Sequence, residues 1–230
     1  MALEFFTTDK ASVAQGIKMA IYGRSGVGKT TLARTALAPF ILSAEAGLLS
    51  LSNVAIPGAK IKSVDDLTEA YNWFKNVKEA RQFKTIFIDS VSEIAEVILA
   101  NAKKQVKDPR QAYGELIEKT MMMVRAFRDL EGFNVVMLFK QESSDDEVTK
   151  IKTYGPSLPG AKLGNQIPYM FDEVLRMGIG KTPDGREYRF LQTQPDIQYE
   201  AKDRSGRLAL IEPPDLSLVF AKILGQNSPT

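Results

Sequence analysis

"YGRSGVGKTT", residues 22–31, stands between a mostly apolar run at 17–22 and a short helical stretch expected over about 29–36. Gly23, Gly28, Lys29 and Thr30 satisfy the spacing G-x-x-x-x-G-K-[ST], and the setting, after a strand and before a helix, is the one that spacing needs in order to hold phosphate. The glycines let the backbone curl until the N–H groups of Arg24, Ser25, Gly26, Val27 and Gly28 face one point, and the start of a helix at Thr30 and Thr31 adds its positive end. Lys29 is placed to bridge the β- and γ-phosphates of a nucleoside triphosphate, and the Thr30 hydroxyl to ligate Mg2+.

Such a cradle lacks a carboxylate for the metal, and "KTIFIDS" (84–90) offers one. Asp89 ends an apolar strand, the end at which open α/β sheets bind ligands, although an aspartate there can equally cap the helix that follows. Further strands are expected at 39–45, 134–141, 173–179 and 188–192, the last two joined by a tight turn in "KTPDGRE". Ser63 and Asp66 open an amphipathic helix through about Val77. Helical patterns also cover 91–105 and 113–130, and Pro109 in "KDPRQAYG" marks a loop between them. Alternating strands and helices followed by a β-rich end predict an α/β fold: a mainly parallel sheet flanked by helices, with antiparallel strands at the C-terminal edge.

At 230 residues and 44% apolar composition the chain suits a single large domain, divided here as an N-terminal segment 1–16, a core 17–224 and a flexible tail 225–230. With neither cysteine nor histidine, thiolate zinc sites, disulfides, a cysteine nucleophile and a histidine general base are excluded, so hydrolysis must rest on carboxylates and cations. A net charge of +2 confines any nucleic-acid site to a local patch. No run approaches the roughly 20 apolar residues of a membrane span and no secretory pattern opens the chain, so a cytoplasmic protein without membrane contact is expected.

"FILSAEAG" places Glu45 after the strand that follows the cradle, and with "TIFIDSVSEI" and "VVMLFKQ" the chain resembles the RecA-like recombination ATPases. Its compact size and the closing "YRFLQTQPDIQYEAKDRSGRL" are similar to phage-encoded single-strand annealing proteins of the Sak type, often catalogued as phage AAA-type ATPases. The resemblance spans about residues 17–212. It implies a RecA-like P-loop NTPase that uses ATP and Mg2+, with Glu45 orienting the attacking water and Gln141 sensing the γ-phosphate. It also implies that Lys202 and Arg204 act in trans on a neighbouring subunit's nucleotide. Read without the resemblance, Glu45 can also be an exposed carboxylate at a helix start, Gln141 a strand-end amide, and the two cations a solvated hairpin edge.

The same resemblance implies two loops for single-stranded DNA. One is "KKQVKDPRQAYG", with Lys103, Lys104, Lys107, Arg110 and Tyr113, although a lysine-rich helix end would have the same composition. The other is "ESSDDEVTKIKTYGPSLPGAK", where Lys150, Lys152, Tyr154 and Lys162 suit DNA, while Glu142, Asp145, Asp146 and Glu147 oppose it and are expected to cover that surface. Implied partners are single-stranded DNA, copies of the chain in a ring or filament, and a single-strand-binding protein. Phe5 and Phe6 offer a short oligomer contact. Two rival readings share the cradle: a small-molecule P-loop kinase, and a loader that binds ATP and DNA without hydrolysis.

Overall fold

The computed structural model describes residues 7, 15–45, 47–145 and 150–226, the side chains of 161 and 162 excepted. The expectations for Phe5, Phe6, Asp146, Glu147, the Lys162 side chain and the last four residues lie outside the described residues, as does most of the segment 1–16.

Among the described residues, ten strands make one sheet: β1 (Lys18–Gly23), β2 (Pro39–Ser43), β3 (Gly58–Lys60), β4 (Thr85–Asp89), β5 (Asn134–Asp145), β6 (Lys152–Ser157), β7 (Glu173–Lys181), β8 (Glu187–Gln192), β9 (Lys202–Asp203) and β10 (Ile211–Glu212). The order is β10-β8-β7-β1-β5-β4-β2-β3, with β6 on β5 and β9 on β7. Every pairing from β7 through β1, β5, β4 and β2 to β3 is parallel, and the pairings of β6, β8, β9 and β10 are antiparallel. The α/β class expected from the sequence, with antiparallel additions at the C-terminal edge, is the architecture found.

The central strands read as unbroken apolar runs because both their faces are covered. On β1, Ala20 and Tyr22 enter one core with the helices α1 (Val64–Asn76), α2 (Val91–Gln105) and α3 (Pro109–Arg128), through Phe74, Ile94, Ile98, Leu116 and Phe127. Met19 and Ile21, one residue out of phase, enter a second core with Leu32, Val219 and Phe220, the last two from α4 (Leu216–Ile223). Helix α1 opens with the expected capping box: Asp66 N–H donates to Ser63 Oγ at 3.2 Å and Ser63 N–H to Asp66 Oδ2 at 2.9 Å.

Four expectations are corrected. The stretch after the cradle is a 3₁₀ run, Thr30–Thr35, rather than an α-helix. Threonine hydroxyls there bond carbonyls three residues back, Thr31 to Gly28 at 2.6 Å and Thr35 to Leu32 at 2.8 Å, competing with the regular α-helical ladder. Pro109 does not sit in a loop but at the first position of α3, where a missing N–H costs nothing, and Asp108 caps that helix by accepting from Arg110 N–H at 2.9 Å. Arg110 and Tyr113 are therefore helical. The stretch after Gln141 is not a long irregular loop: β5 continues to Asp145 and pairs with β6 from Lys140–Ser157 to Asp145–Lys152. Apart from Tyr154 and Pro156 this ribbon is polar, with a Ser144–Thr153 hydroxyl pair at 2.9 Å, so it carries no regular apolar alternation for a sequence reading to detect. Finally, the edge strand β3 was not expected. Among the described residues no helix is long and apolar enough to cross a membrane.

Candidate nucleotide site

Because β5 lies between β1 and β4, the cradle after β1 and the aspartate ending β4 open on the same edge of the sheet, one strand apart. Gly23 has no room for a side chain, since a Cβ there would stand 2.6 Å from the Met177 carbonyl oxygen on β7. Gly28, at φ +107°, holds a backbone shape that other residues rarely adopt. Val27, between the exposed Gly26 and Gly28, is buried in the second core and fastens the loop, while Arg24 and Ser25 are exposed on its rim.

Lys29 turns its ammonium back over the loop, donating to the Gly23 carbonyl at 2.8 Å and the Arg24 carbonyl at 3.1 Å. Burial pushes its pKa down, opposed by the charges of Asp89 and Glu45. Thr30 Oγ1 donates to Asp89 Oδ2 at 2.6 Å. Burial pushes the Asp89 carboxyl up and Glu45 adds to that, while the Thr30 bond and Lys29 act the other way. A hydroxyl and a carboxylate oxygen brought this close beside an ammonium form an all-oxygen donor set suited to Mg2+, and the curled amides suit a triphosphate, so the residues fit both groups.

Glu45 follows β2, next to β4, and its backbone N–H donates to the Asp89 carbonyl at 3.3 Å. Its carboxylate accepts from Ser90 Oγ at 2.5 Å. Ser90 also caps α2 by accepting from Glu93 N–H at 3.3 Å, so the capping role weighed for Asp89 belongs to its neighbour and Asp89 is left facing Thr30. Gln141 lies one residue beyond Lys140, which is the register partner of Gly23, and its side chain makes no hydrogen bond to a described residue. Lys140, not singled out from the sequence, donates to Glu93 and Glu96 of α2 at 2.9 Å each and lowers the Lys29 pKa through its charge.

Lys202 and Arg204 stand at the other end of the sheet. Lys202 is paired with Val174 near the start of β7, and Glu173 beside it is in register with Met19, four residues before Gly23 or about 13 Å along the strand. Nor do they share one target, since Lys202 Nζ donates to the Pro168 carbonyl at 2.5 Å and Arg204 to Asp172 Oδ1 at 2.7 Å. Within its own chain neither reaches the cradle. The cation that does is Arg189 of β8, whose Nε donates to the Val27 carbonyl at 2.9 Å. The alternation of "EYRFLQ" after a Pro-Asp-Gly turn places Arg189 opposite Tyr188 and Phe190, which is the one signal that could have suggested it.

Of the residues expected to touch DNA, Lys103 and Lys104 end α2, Lys107 lies in the short connection, and Arg110 and Tyr113 lie early in α3, all exposed, with Lys103 Nζ 5.7 Å from the Tyr113 ring centre. Lys150 precedes β6, and Lys152 faces Asp145 at 3.8 Å across the ribbon. Tyr154 is stacked on Tyr199, ring centres 4.9 Å apart.

Residues 15–205 match a family model described as an AAA domain. No curated protein matches the chain. Solved structures similar to it include the flagellar accessory protein FlaH from Methanocaldococcus jannaschii, at 11% identity and a TM-score of 0.42 over 82% of this chain and 81% of that one. Another is the KaiC-like protein PH0186 from Pyrococcus horikoshii OT3, at 13% identity and a TM-score of 0.43 over 82% of this chain and 83% of that one. The family match takes in the cradle, Glu45, Asp89 and the whole sheet except β10, and the chain therefore belongs to the AAA domain family of P-loop NTPases.

Proposed function

We propose that this protein binds and slowly hydrolyses ATP with Mg2+ and couples that cycle to single-stranded DNA in recombination or strand annealing, as a phage-encoded protein in the cytoplasm of its host. The observation that supports the ATPase reading best is the contact of Thr30 with Asp89 at 2.6 Å, flanked by Lys29 on one side and by Glu45, held by Ser90, on the other.

Lys29 and the amides of the curled loop would hold the β- and γ-phosphates, and Thr30 with Asp89 would hold Mg2+. The ion, when bound, offsets negative charge on the phosphate oxygens. Glu45 orients a water for attack, and its bond to Ser90 limits the directions its carboxylate can face. Gln141, at the start of the ribbon, is where the state of the nucleotide would pass into β5–β6. Lys202 and Arg204 would contribute only from a neighbouring copy in a ring or filament, and Arg204 would have to exchange Asp172 for phosphate. The exposed cations of Lys103, Lys104, Lys107 and Arg110, with Lys152 on the ribbon and Lys150 just before it, supply phosphate neutralisation for a DNA strand, with a single-strand-binding protein as a further partner.

ATP turnover measured alone, with single-stranded DNA, with duplex DNA and with small phosphoryl acceptors tests this reading. Stimulation by single strands alone is the expected result, and phosphate appearing on an acceptor would replace the reading by a kinase. Glu45→Gln is expected to keep ATP binding and to lower turnover at least 100-fold. Equal turnover in the variant would remove the water-orienting role.

A further inference from the structure

On the hairpin of β7 and β8 one face is packed into the second core through Met177 and Leu191, with Arg189 reaching the cradle. The other face carries a row of rings. Tyr188 and Phe190 alternate with Arg189 and lean over Gly180 and Gly178, whose missing side chains make the room: a Cβ on either glycine would stand 2.6 Å from the ring tip. From Phe190 the row passes to the Arg176 guanidinium at 5.4 Å, then to Tyr199 at 3.5 Å, and ends on Tyr154 of the ribbon. Tyr188 remains 46% exposed.

We infer that this row is a stacking platform for the unpaired bases of single-stranded DNA, with Tyr188 and Phe190 as the rings that meet bases. The inference rests on the single-stranded DNA reading above and extends its second cluster, from Lys152 and Tyr154, across the hairpin of β7 and β8. Charge favours this occupant. Arg186, two residues before Tyr188, is exposed at one end, Arg176 lies in the middle, and Lys152, two residues before Tyr154, lies at the other, so cations punctuate the rings where phosphates would follow bases. Arg186 is tied to Asp184 and Lys152 to Asp145, both in exposed pairs, which hold them weakly. Glu187 points to the opposite face by strand alternation, and Asp196, which accepts from Gln192 Nε2 at 3.0 Å, faces the middle of the row, where its charge acts on Arg176.

The platform is joined to the cradle twice. Tyr22, the residue before Gly23, donates its hydroxyl to the Glu200 carbonyl at 2.7 Å and the Tyr154 carbonyl at 3.2 Å, and Arg189 ties the strand carrying Tyr188 to Val27.

The test is fluorescence anisotropy at fixed salt with a labelled oligothymidylate and with an abasic oligomer of equal length, for the full chain, Tyr188→Ala, Tyr188→Trp and Arg186→Gln. Tyr188→Ala is expected to weaken the oligothymidylate about 5- to 100-fold and leave the abasic strand unchanged, since only stacking is lost, and Tyr188→Trp to restore binding. Arg186→Gln is expected to lower the slope of log affinity against log salt by about one while keeping the preference for bases. An unchanged affinity in Tyr188→Ala, or an equal loss on both oligomers, overturns the platform while the DNA reading stands. A change in the sedimentation of Tyr188→Ala without DNA overturns it in favour of a contact between copies. If the unsubstituted chain binds neither oligomer, the DNA reading falls and takes the platform with it.

Discussion

Ser90 shows how one side chain can serve two links of the chain from sequence to function. Its oxygen accepts from Glu93 N–H to start α2 and donates to Glu45 at 2.5 Å, so the cap of that helix and the carboxylate proposed to orient water share one hydroxyl. Ser90→Ala should cost about 1 kcal/mol through the lost cap, read as a shift of the urea midpoint. It should also lower kcat for ATP about 10-fold with little change in KM, because the cradle is untouched while Glu45 is left free to turn. Ser90→Thr should recover both, and a stability loss with unchanged kcat would reduce Ser90 to a helix cap. Glu173 offers a second test at this scale. It is 1% exposed, one of its oxygens finds no partner among the described residues, and burial, then the neighbouring charge of Asp203, pushes its pKa up to about 8. Between its ordinary value of 4.5 and about 8 the folded chain holds a proton that the unfolded chain has released. This contribution to stability is therefore complete at low pH, declines by at most about 1.4 kcal/mol per pH unit as pH rises through that window, and is flat above it. Lys18, lowered to about 8 by burial, works in the opposite sense at higher pH: its contribution is present above 10.5 and is lost as pH falls through about 8. Glu173→Gln should gain stability relative to the unsubstituted chain on going from pH 5 to pH 8, and parallel urea midpoints across that range would refute the assignment.

At the scale of elements, what could be read from the sequence follows how local each signal is. The capping box of α1, the Pro-Asp-Gly hairpin and the phosphate loop are each specified within ten residues, and all three stand where their motifs put them. The ribbon of β5 and β6 was missed because most of its residues are polar and show no regular apolar alternation, and α3 began early because Pro109, read as a breaker, is a helix starter when Asp108 precedes it. Within the site the same division holds. Lys29, Thr30 and Asp89 were legible from motifs, whereas Arg189 meets Val27 across 162 residues of sequence and Lys140 meets Glu93 across 47. The Arg189 contact makes the β7–β8 hairpin a strut for the phosphate loop. Arg189→Ala should weaken ATP binding about 5-fold, the equivalent of about 1 kcal/mol for an exposed donor on a backbone carbonyl, with the hairpin itself intact. Calorimetric titration with ATP and Mg2+ measures it, and an unchanged Kd would mean that the arginine merely rests against the loop.

At the scale of the whole molecule the sheet order matters more than any element. The sequence supplied strands but not neighbours. Nothing in "NVVMLFKQ" states that β5 inserts between β1 and β4, and it is that insertion which opens a gap at the strand ends wide enough for the loop after β1 and the aspartate of β4 to face each other through Thr30. The central strands send alternate side chains into the two cores on either side of the sheet, so the candidate site at their ends rests on both. A ligand held there by β1, β2 and β4 together binds only the folded chain, and its binding free energy adds to global stability. At a free ATP concentration 100 times its Kd, with Mg2+ present, the gain is about 2.7 kcal/mol, which for a chain of this size raises Tm by roughly 5–10 °C. Thermal denaturation with and without ATP and Mg2+ should show that rise. Lys29→Ala should abolish it while leaving Tm without nucleotide little changed, because the ammonium bonds only carbonyls of its own loop. Asp89→Asn should remove the part that depends on Mg2+ and keep the part that depends on phosphate alone, since the carboxylate is needed for the ion and not for the cradle. An equal rise in the Lys29 variant would place the nucleotide somewhere other than this edge of the sheet.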